Sequence, residues 1–333
     1  MYRSQLEQVR SRTGDFTDRA ARILAARRDR AMPATATPHS TTLERATEGM
    51  AGAEAPGFDA PMELMPEALG QHGLAEAIVL AELRPAFFVF DSAIDVTDAV
   101  EADPQLLRLV TDNQTSLLNS CRGVGRVDLF HHFNLPYAGT GFLIDDTLAV
   151  TNRHVALVFA ERLRSGTRFR RGRFGVEMEA RLDYHAFYGG NTKLRADVIE
   201  VLYIAADHEP DFALLRVARQ DAAPKLDLLG GSHRTEPQTP VGVVGYPAED
   251  GSRNDQALMD EVLRGQYQVK RLAPGFVTAR ADDDIVLMAD YSSLGGNSGS
   301  PVIALDSGKV LGLHFAGRFM ENNYAVAADV IES

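Results

Sequence analysis

Along most of the chain the apolar residues fall in short runs rather than at helical spacing. From about Leu117 onward, runs rich in Val, Ile, Leu and Phe recur. They include Thr140–Ile144, Val198–Ile204, Phe212–Val217, Val241–Tyr246, Ile285–Met288, Ser300–Ala304, Val310–Phe315 and Tyr324–Ala327. Most are four to eight residues long, and Gly, Pro, Asp or Asn breaks the chain between them. Runs of that length, bounded by turn formers, are strand signals, because a half-buried strand needs few residues and a tight turn needs special dihedrals. Many short strands and few helical periods predict an all-β domain, barrel or sandwich, over residues 116–333.

The N-terminal third has a different texture. Ser4 to Ala31 predicts a polar helix or frayed tail over residues 1–31, with Leu6, Val9, Phe16, Ile23 and Leu24 as a thin apolar stripe. Residues 32–61 are rich in Pro, Ala, Thr, Gly and Met and read as a disordered acidic linker. Within 62–115, the runs Ala77–Leu83, Phe87–Phe90 and Pro104–Val110 predict a short strand pair and a helix. Together these make a small α/β extension expected to pack on the main domain.

Composition narrows the function classes. The 333 residues carry 34 Lys+Arg against 46 Asp+Glu, a net charge of −12. The charge is uneven: residues 1–31 hold eight Arg against four acids, and residues 32–115 hold three Arg against fourteen acids. So acidic a chain is a poor electrostatic partner for nucleic acid, and none is expected. The single Cys121 excludes an internal disulfide. With no apolar leader and no stretch of about 18 apolar residues, a cytoplasmic location without membrane contact is expected. The six arginines from Arg162 to Arg173, with Phe169 and Phe174 among them, predict a solvated hairpin. His131-His132 lacks a third ligand at metal spacing, and Gly242-Val-Val-Gly245 lacks a phosphate-loop context, so no cofactor is expected.

Three segments carry chemistry. The first runs from Gly139-Thr-Gly-Phe-Leu-Ile to Leu148-Ala-Val-Thr-Asn-Arg-His154-Val. The second is His208-Glu-Pro-Asp211-Phe-Ala-Leu-Leu, and the third is Leu294-Gly-Gly-Asn-Ser298-Gly-Ser-Pro-Val-Ile. A serine hydroxyl is a weak nucleophile until an imidazole takes its proton. The imidazole in turn needs a carboxylate to fix its tautomer and stabilise its cation. A Gly-Gly-Asn-Ser-Gly turn can aim the N–H groups of Gly296 and Ser298 at a developing oxyanion, since glycine adopts dihedrals closed to other residues. Asp197 and Asp207 compete with Asp211 for the acid. Asp211 is favoured because an apolar strand follows it at once, which would bury the carboxylate. An α/β-hydrolase reading fails on the order His, Asp, Ser and on the absence of Gly-x-Ser-x-Gly around Ser298.

These segments, in this order and 57 and 87 positions apart, resemble trypsin-like (chymotrypsin-fold) serine proteases. The resemblance is closest to the disulfide-free bacterial branch of glutamyl endopeptidases and HtrA-type proteases, and it covers residues 117–333. It implies two six-stranded antiparallel β-barrels with the active site between them. It further implies a serine endopeptidase acting on protein or peptide through an acyl-enzyme, with His154, Asp211 and Ser298 catalytic. Ser292, Ser293, His314, Phe315 and Ala316 fall where that family lines its specificity pocket. Ser292 replaces the aspartate that selects Lys or Arg. His314 and Ser293 stand where glutamyl endopeptidases meet a substrate carboxylate, so an acidic (Glu) preference is expected. Residues 1–115 are expected to regulate the centre, to bind a regulatory partner, or to be processed. The alternative is a catalytically silent protease-fold module that binds peptide segments.

Overall fold

The computed structural model describes residues 84–97, 102–229, 235–249, 256–281, 285–318 and 322–332. The expected helix over Ser4–Ala31, the linker 32–61 and the run Ala77–Leu83 lie outside these residues.

The described chain opens with two short strands, β1 (Phe87–Val89) and β2 (Ile94–Asp95), and two helices, α1 (Pro104–Asp112) and α2 (Gln114–Arg122). The Phe87–Phe90 run finds its hairpin partner in Ile94–Asp95. Helix α1 starts where the Asp103 carboxylate accepts the N–H groups of Gln105 and Leu106 and where Pro104 needs no N–H partner. It buries Leu106 and Val110, one turn apart on one face.

The first barrel is built from β3 (Val124–Phe130), β4 (Tyr137–Asp145) and β5 (Leu148–Thr151), followed by β8 (Glu179–Asp183), β9 (Arg195–Ile204) and β10 (Ala213–Val217). It closes in the order β10-β5-β4-β3-β8-β9, with every pairing antiparallel. Between β5 and β8 come helix α3 (Arg153–Phe159) and a hairpin of β6 (Ala160–Leu163) and β7 (Gly166–Phe169). Inward side chains such as Val127, Leu143, Leu182, Val201 and Leu215 fill the barrel, with Phe159 of α3 capping them. The arginines of the 162–173 run point to solvent, Arg168 pairing with Glu161 at 2.7 Å.

The second barrel joins β11 (Pro240–Gly245), β12 (Arg271–Arg280), β13 (Val286–Ala289), β14 (Pro301–Ala304), β15 (Val310–Arg318) and β16 (Asn322–Ala327). Their order is β11-β14-β15-β16-β13-β12, and a β11–β12 pairing closes the ring. The long β12 pairs with β11 along one edge; the other edge takes β13 in its C-terminal half and β1 at Arg271–Leu272. Helix α4 (Gln256–Leu263) adds Met259 and Leu263 to a core of Val241, Val243, Ala273, Val302 and Leu311. The chain ends in helix α5 (Ala328–Glu332). The architecture is all-β, two six-stranded barrels with few helices.

Polar contacts stitch the barrels together. Lys270 Nζ donates to the carbonyls of Cys121 and Tyr184 at 2.7 and 2.8 Å. Tyr246 Oη lies 3.1 Å from the carbonyls of Val124 and Asp183, and Arg126 Nη1 donates to Gln268 O at 2.7 Å. Each spans the seam, so the relative position of elements on its two sides is held by hydrogen bonds, and those of Lys270 and Tyr246 are shielded from water.

Candidate active site

His154 leaves β5 on the first turn of α3. Val155, Ala156 and Phe159 bury the inner face of that turn, which fixes where the imidazole emerges. Asp211 precedes β10 directly. Its backbone carbonyl accepts from Asn152 Nδ2 at 2.9 Å, so the two strand ends are tied side by side. The Asp211 carboxylate then meets His154 twice: Oδ2 lies 2.7 Å from Nδ1, and Oδ1 accepts the His154 backbone N–H at 3.2 Å. On the other face of the ring, Nε2 stands 2.7 Å from Ser298 Oγ, contributed by the second barrel.

The Asp211 carboxyl feels opposed forces. Burial raises its pKa, but His154, by charge and by hydrogen bond, and Arg153, by charge, hold it below the ordinary carboxylate value. Arg153 Nε is 4.0 Å from Oδ1, while its Nη1 is spent on the Ala206 carbonyl. Of the three aspartates the sequence offers, Asp211 touches His154; Asp197 is instead paired with Arg181 at 2.6 Å.

The loop carrying Ser298 depends on its glycines. Gly296 (φ 91°) and Gly299 (φ 87°) both occupy the left-handed region. A Cβ at Gly296 would run into the Tyr246 carbonyl and come within 2.7 Å of Tyr137 Oη. One at Gly299 would overlap the Thr140 carbonyl. The turn is pinned by Asn297 N–H to Leu294 O, Ser300 N–H to Asn297 O and Gly299 N–H to His314 O. Thr140 of β4 reaches across from the first barrel, N–H to Ser298 O and Oγ1 to Gly296 O, both at 2.8 Å.

Ser292, Ser293, His314, Phe315 and Ala316 are all buried beside this loop. Ser292 Oγ donates to the Arg84 carbonyl at 2.9 Å, and Ser293 Oγ donates to Asn323 Oδ1 at 2.6 Å. Asn323 Nδ2 donates in turn to the Tyr291 carbonyl. Tyr291 Oη lies 3.1 Å from His314 Nδ1. Burial, and the nearby charge of His154, push the His314 pKa down to about 3, against a small opposing pull from the Tyr324 backbone. Elsewhere, His132 Nδ1 accepts the Asn134 and Leu135 N–H groups, which organises its loop. Among the described residues no group of three His, Cys, Asp or Glu is placed to hold a metal.

Sequence reasoning did not single out Asn152, Tyr291, Asn323 or Thr140. Asn152 and Thr140 sit inside the histidine segment and were legible as neighbours. Tyr291 and Asn323 join the site only through the pairing of β13 with β16, which leaves no local mark.

Two closed barrels with a histidine and an aspartate from one and a glycine-flanked serine from the other define the class of two-barrel trypsin-like proteins. The model of the trypsin-like peptidase domain family matches residues 139–313, more than half of the chain and all three of these side chains. The chain belongs to that family, which is one of protein hydrolases. No curated protein matches it significantly.

Proposed function

We propose that the protein is a serine endopeptidase. The observation that carries this is one unbroken line of short contacts, Ser298 Oγ to His154 Nε2 and His154 Nδ1 to Asp211 Oδ2, each 2.7 Å. Ser298 Oγ attacks the scissile carbonyl of a protein or peptide while its proton passes to His154 Nε2. The tetrahedral oxygen takes the backbone N–H groups of Gly296 and Ser298. Collapse expels the amine, which leaves with the proton from His154. Water, deprotonated by His154, then hydrolyses the acyl-enzyme and returns Ser298. Asp211 holds the ring by Nδ1 throughout and balances its charge. The left-handed Gly296 supports the oxyanion assignment, since it lets a backbone N–H turn towards the cleft.

Ser292, Ser293, His314, Phe315 and Ala316 form the pocket for P1, the residue that supplies the scissile carbonyl. The His314 imidazole in that pocket supports a preference for an acidic (Glu) side chain at P1. The acidic residues within 1–115 make that region a candidate for self-processing or for a regulatory contact.

A serine-directed fluorophosphonate probe tests the reading. Labelling of the wild type and none of Ser298→Ala supports it; no labelling of either refutes it. Intact masses of the two proteins, produced in parallel, test processing: full-length chains of matching mass in both refute it.

A further inference from the structure

We propose that the turn Arg171–Glu177, with the neighbouring loop at Phe133, is a docking surface for an acidic, aromatic-bearing stretch of the substrate chain, outside the residues that enter the cleft. The proposal rests on the serine-endopeptidase reading above and extends it from the reacting atoms to the rest of the substrate.

Phe174 is out of place on two counts. Its ring is 98% exposed, and its φ of 57° lies in the left-handed region, where a bulky side chain is unfavourable. The ring is thus held in water at a backbone cost, with almost no contact inside the chain to offset it. The turn itself is firmly tied. Arg173 N–H donates to His131 O at 2.7 Å and Gly172 N–H to Val176 O at 2.8 Å. A Cβ at Gly172 would overlap the His131 carbonyl. Phe133 and Val176, 49% and 44% exposed, extend the apolar tip on the same two loops.

Positive charge surrounds that tip. Arg170, Arg171 and Arg173 are exposed, and among the described residues none of them forms an ion pair. Neutral acceptors hold them instead. Arg173 Nε donates to Phe133 O at 2.7 Å, Arg171 Nη1 to Gly175 O at 2.8 Å and Arg170 Nε to Ala160 O at 2.9 Å. Such bonds fix a guanidinium without neutralising it, so part of the ordering cost of binding is met before a partner arrives. The turn carries one acid, Glu177; Glu179 beyond it is taken by Arg181 at 3.2 Å. Burial, and the charge of Arg173, hold the His132 imidazole below its ordinary pKa. On a chain of net charge −12 this is a local cationic exception, and an aromatic set among arginines suits a segment that is anionic and partly apolar.

Position assigns the segment to a substrate. The Phe133 loop runs directly into β4, whose Tyr137 and Thr140 touch the nucleophile loop. Arg170 N–H donates to Phe159 O at 2.8 Å, at the end of the helix that begins beside His154. Both loops are rooted at the cleft, so a polypeptide longer than the cleft continues over them.

Calorimetric titration of the full chain carrying Ser298→Ala, which cannot consume the ligand, tests the surface. The probe is a Glu-rich peptide with one Phe, set against its Gln-for-Glu counterpart. The Glu peptide is expected to bind about tenfold tighter, and raising the salt from about 50 to about 500 mM should erase the difference. Exchanging Arg171→Gln and Arg173→Gln together should erase it too. Phe174→Asn separates docking from folding. Asn accepts the left-handed φ, so the melting temperature should hold or rise while affinity for the Glu peptide falls several-fold. Unchanged affinity in that variant overturns the proposal. In the active enzyme, a cleaved substrate extended by the Glu-rich segment should show kcat/KM about tenfold above its Gln-extended counterpart. Phe174→Asn should lower that ratio and leave the unextended substrate unaffected. Labelling and cleavage without discrimination between the two peptides overturns the docking surface alone, and so does binding of phosphatidylserine vesicles or of an oligonucleotide in their place. Peptide binding with neither labelling nor cleavage overturns the peptidase reading, and with it the assignment of the segment to a substrate.

Discussion

Lys270 is a fully buried ammonium in the seam between the barrels, and its titration should appear in the stability of the whole domain. Nζ bonds two carbonyls of the opposite side and faces the rings of Phe187 and Tyr246 at 4.8 and 5.8 Å. Among the described residues no carboxylate pairs with it directly, and burial pulls its pKa from 10.5 down to about 7. Between those two values the unfolded chain holds a proton that the folded chain has released. Stability therefore rises with pH through that window, by at most about 1.4 kcal/mol per pH unit. Other groups limit the range in which Lys270 acts alone. His314, depressed to about 3, has finished its own contribution by pH 7. Burial pushes the Cys121 thiol up to about 12, which opposes Lys270 once unfolded thiols ionise near pH 8.5–9. From pH 7 to 9 the wild type should gain up to about 2.7 kcal/mol, read from urea unfolding at constant ionic strength. In Lys270→Met the titration is gone, and the profile should be flat from pH 7 to about 8.5 and then turn down as the unfolded Cys121 thiol ionises. Its absolute stability is a separate matter, because two carbonyls lose their donor at about 1–3 kcal/mol each while the cost of burying the amine disappears. A flat wild-type profile, or a Lys270→Met profile that keeps the slope, would refute the reasoning.

Asp211→Asn should lower kcat by about 10⁴ with little change in KM, since the amide cannot hold the imidazole in the tautomer that accepts the Ser298 proton; a loss below tenfold in steady-state kinetics would argue against its role. Gly296→Ala introduces a Cβ against the Tyr246 carbonyl at a left-handed φ, and should cost at least about 10²-fold in kcat by displacing one oxyanion donor. Fluorophosphonate labelling at the wild-type rate in that variant would contradict the assignment. Cys121, wholly buried, should resist a thiol-reactive disulfide in the native protein and react once the chain is unfolded in urea; rapid native reaction would show that α2 opens readily.

Much of the site was legible in the chain because its requirements are local. A nucleophile on a sharp turn needs glycines beside it, and Gly296 and Gly299 stand where only glycine avoids the Tyr246 and Thr140 carbonyls. A buried acid needs an apolar strand after it, and Ala213–Val217 supplies one. Short alternating runs mark strands because a strand's side chains repeat every two residues. Long-range pairing leaves no such mark. Neither the docking of Phe87–Val89 on Arg271–Leu272 nor the route from Ser293 through Asn323 and Tyr291 to His314 has a spacing that a reader of the sequence would notice.

The sequence by itself therefore determined the residue types, their order and the kind of elements that carry them, because backbone dihedrals and hydrophobic periodicity are properties of neighbouring residues. Only the tertiary structure decided which barrel edges meet, how short the line from Ser298 to Asp211 is, and that His314 is wholly buried beside Tyr291. Those depend on contacts between groups far apart along the chain, where burial and the choice of hydrogen-bond partner set both geometry and protonation.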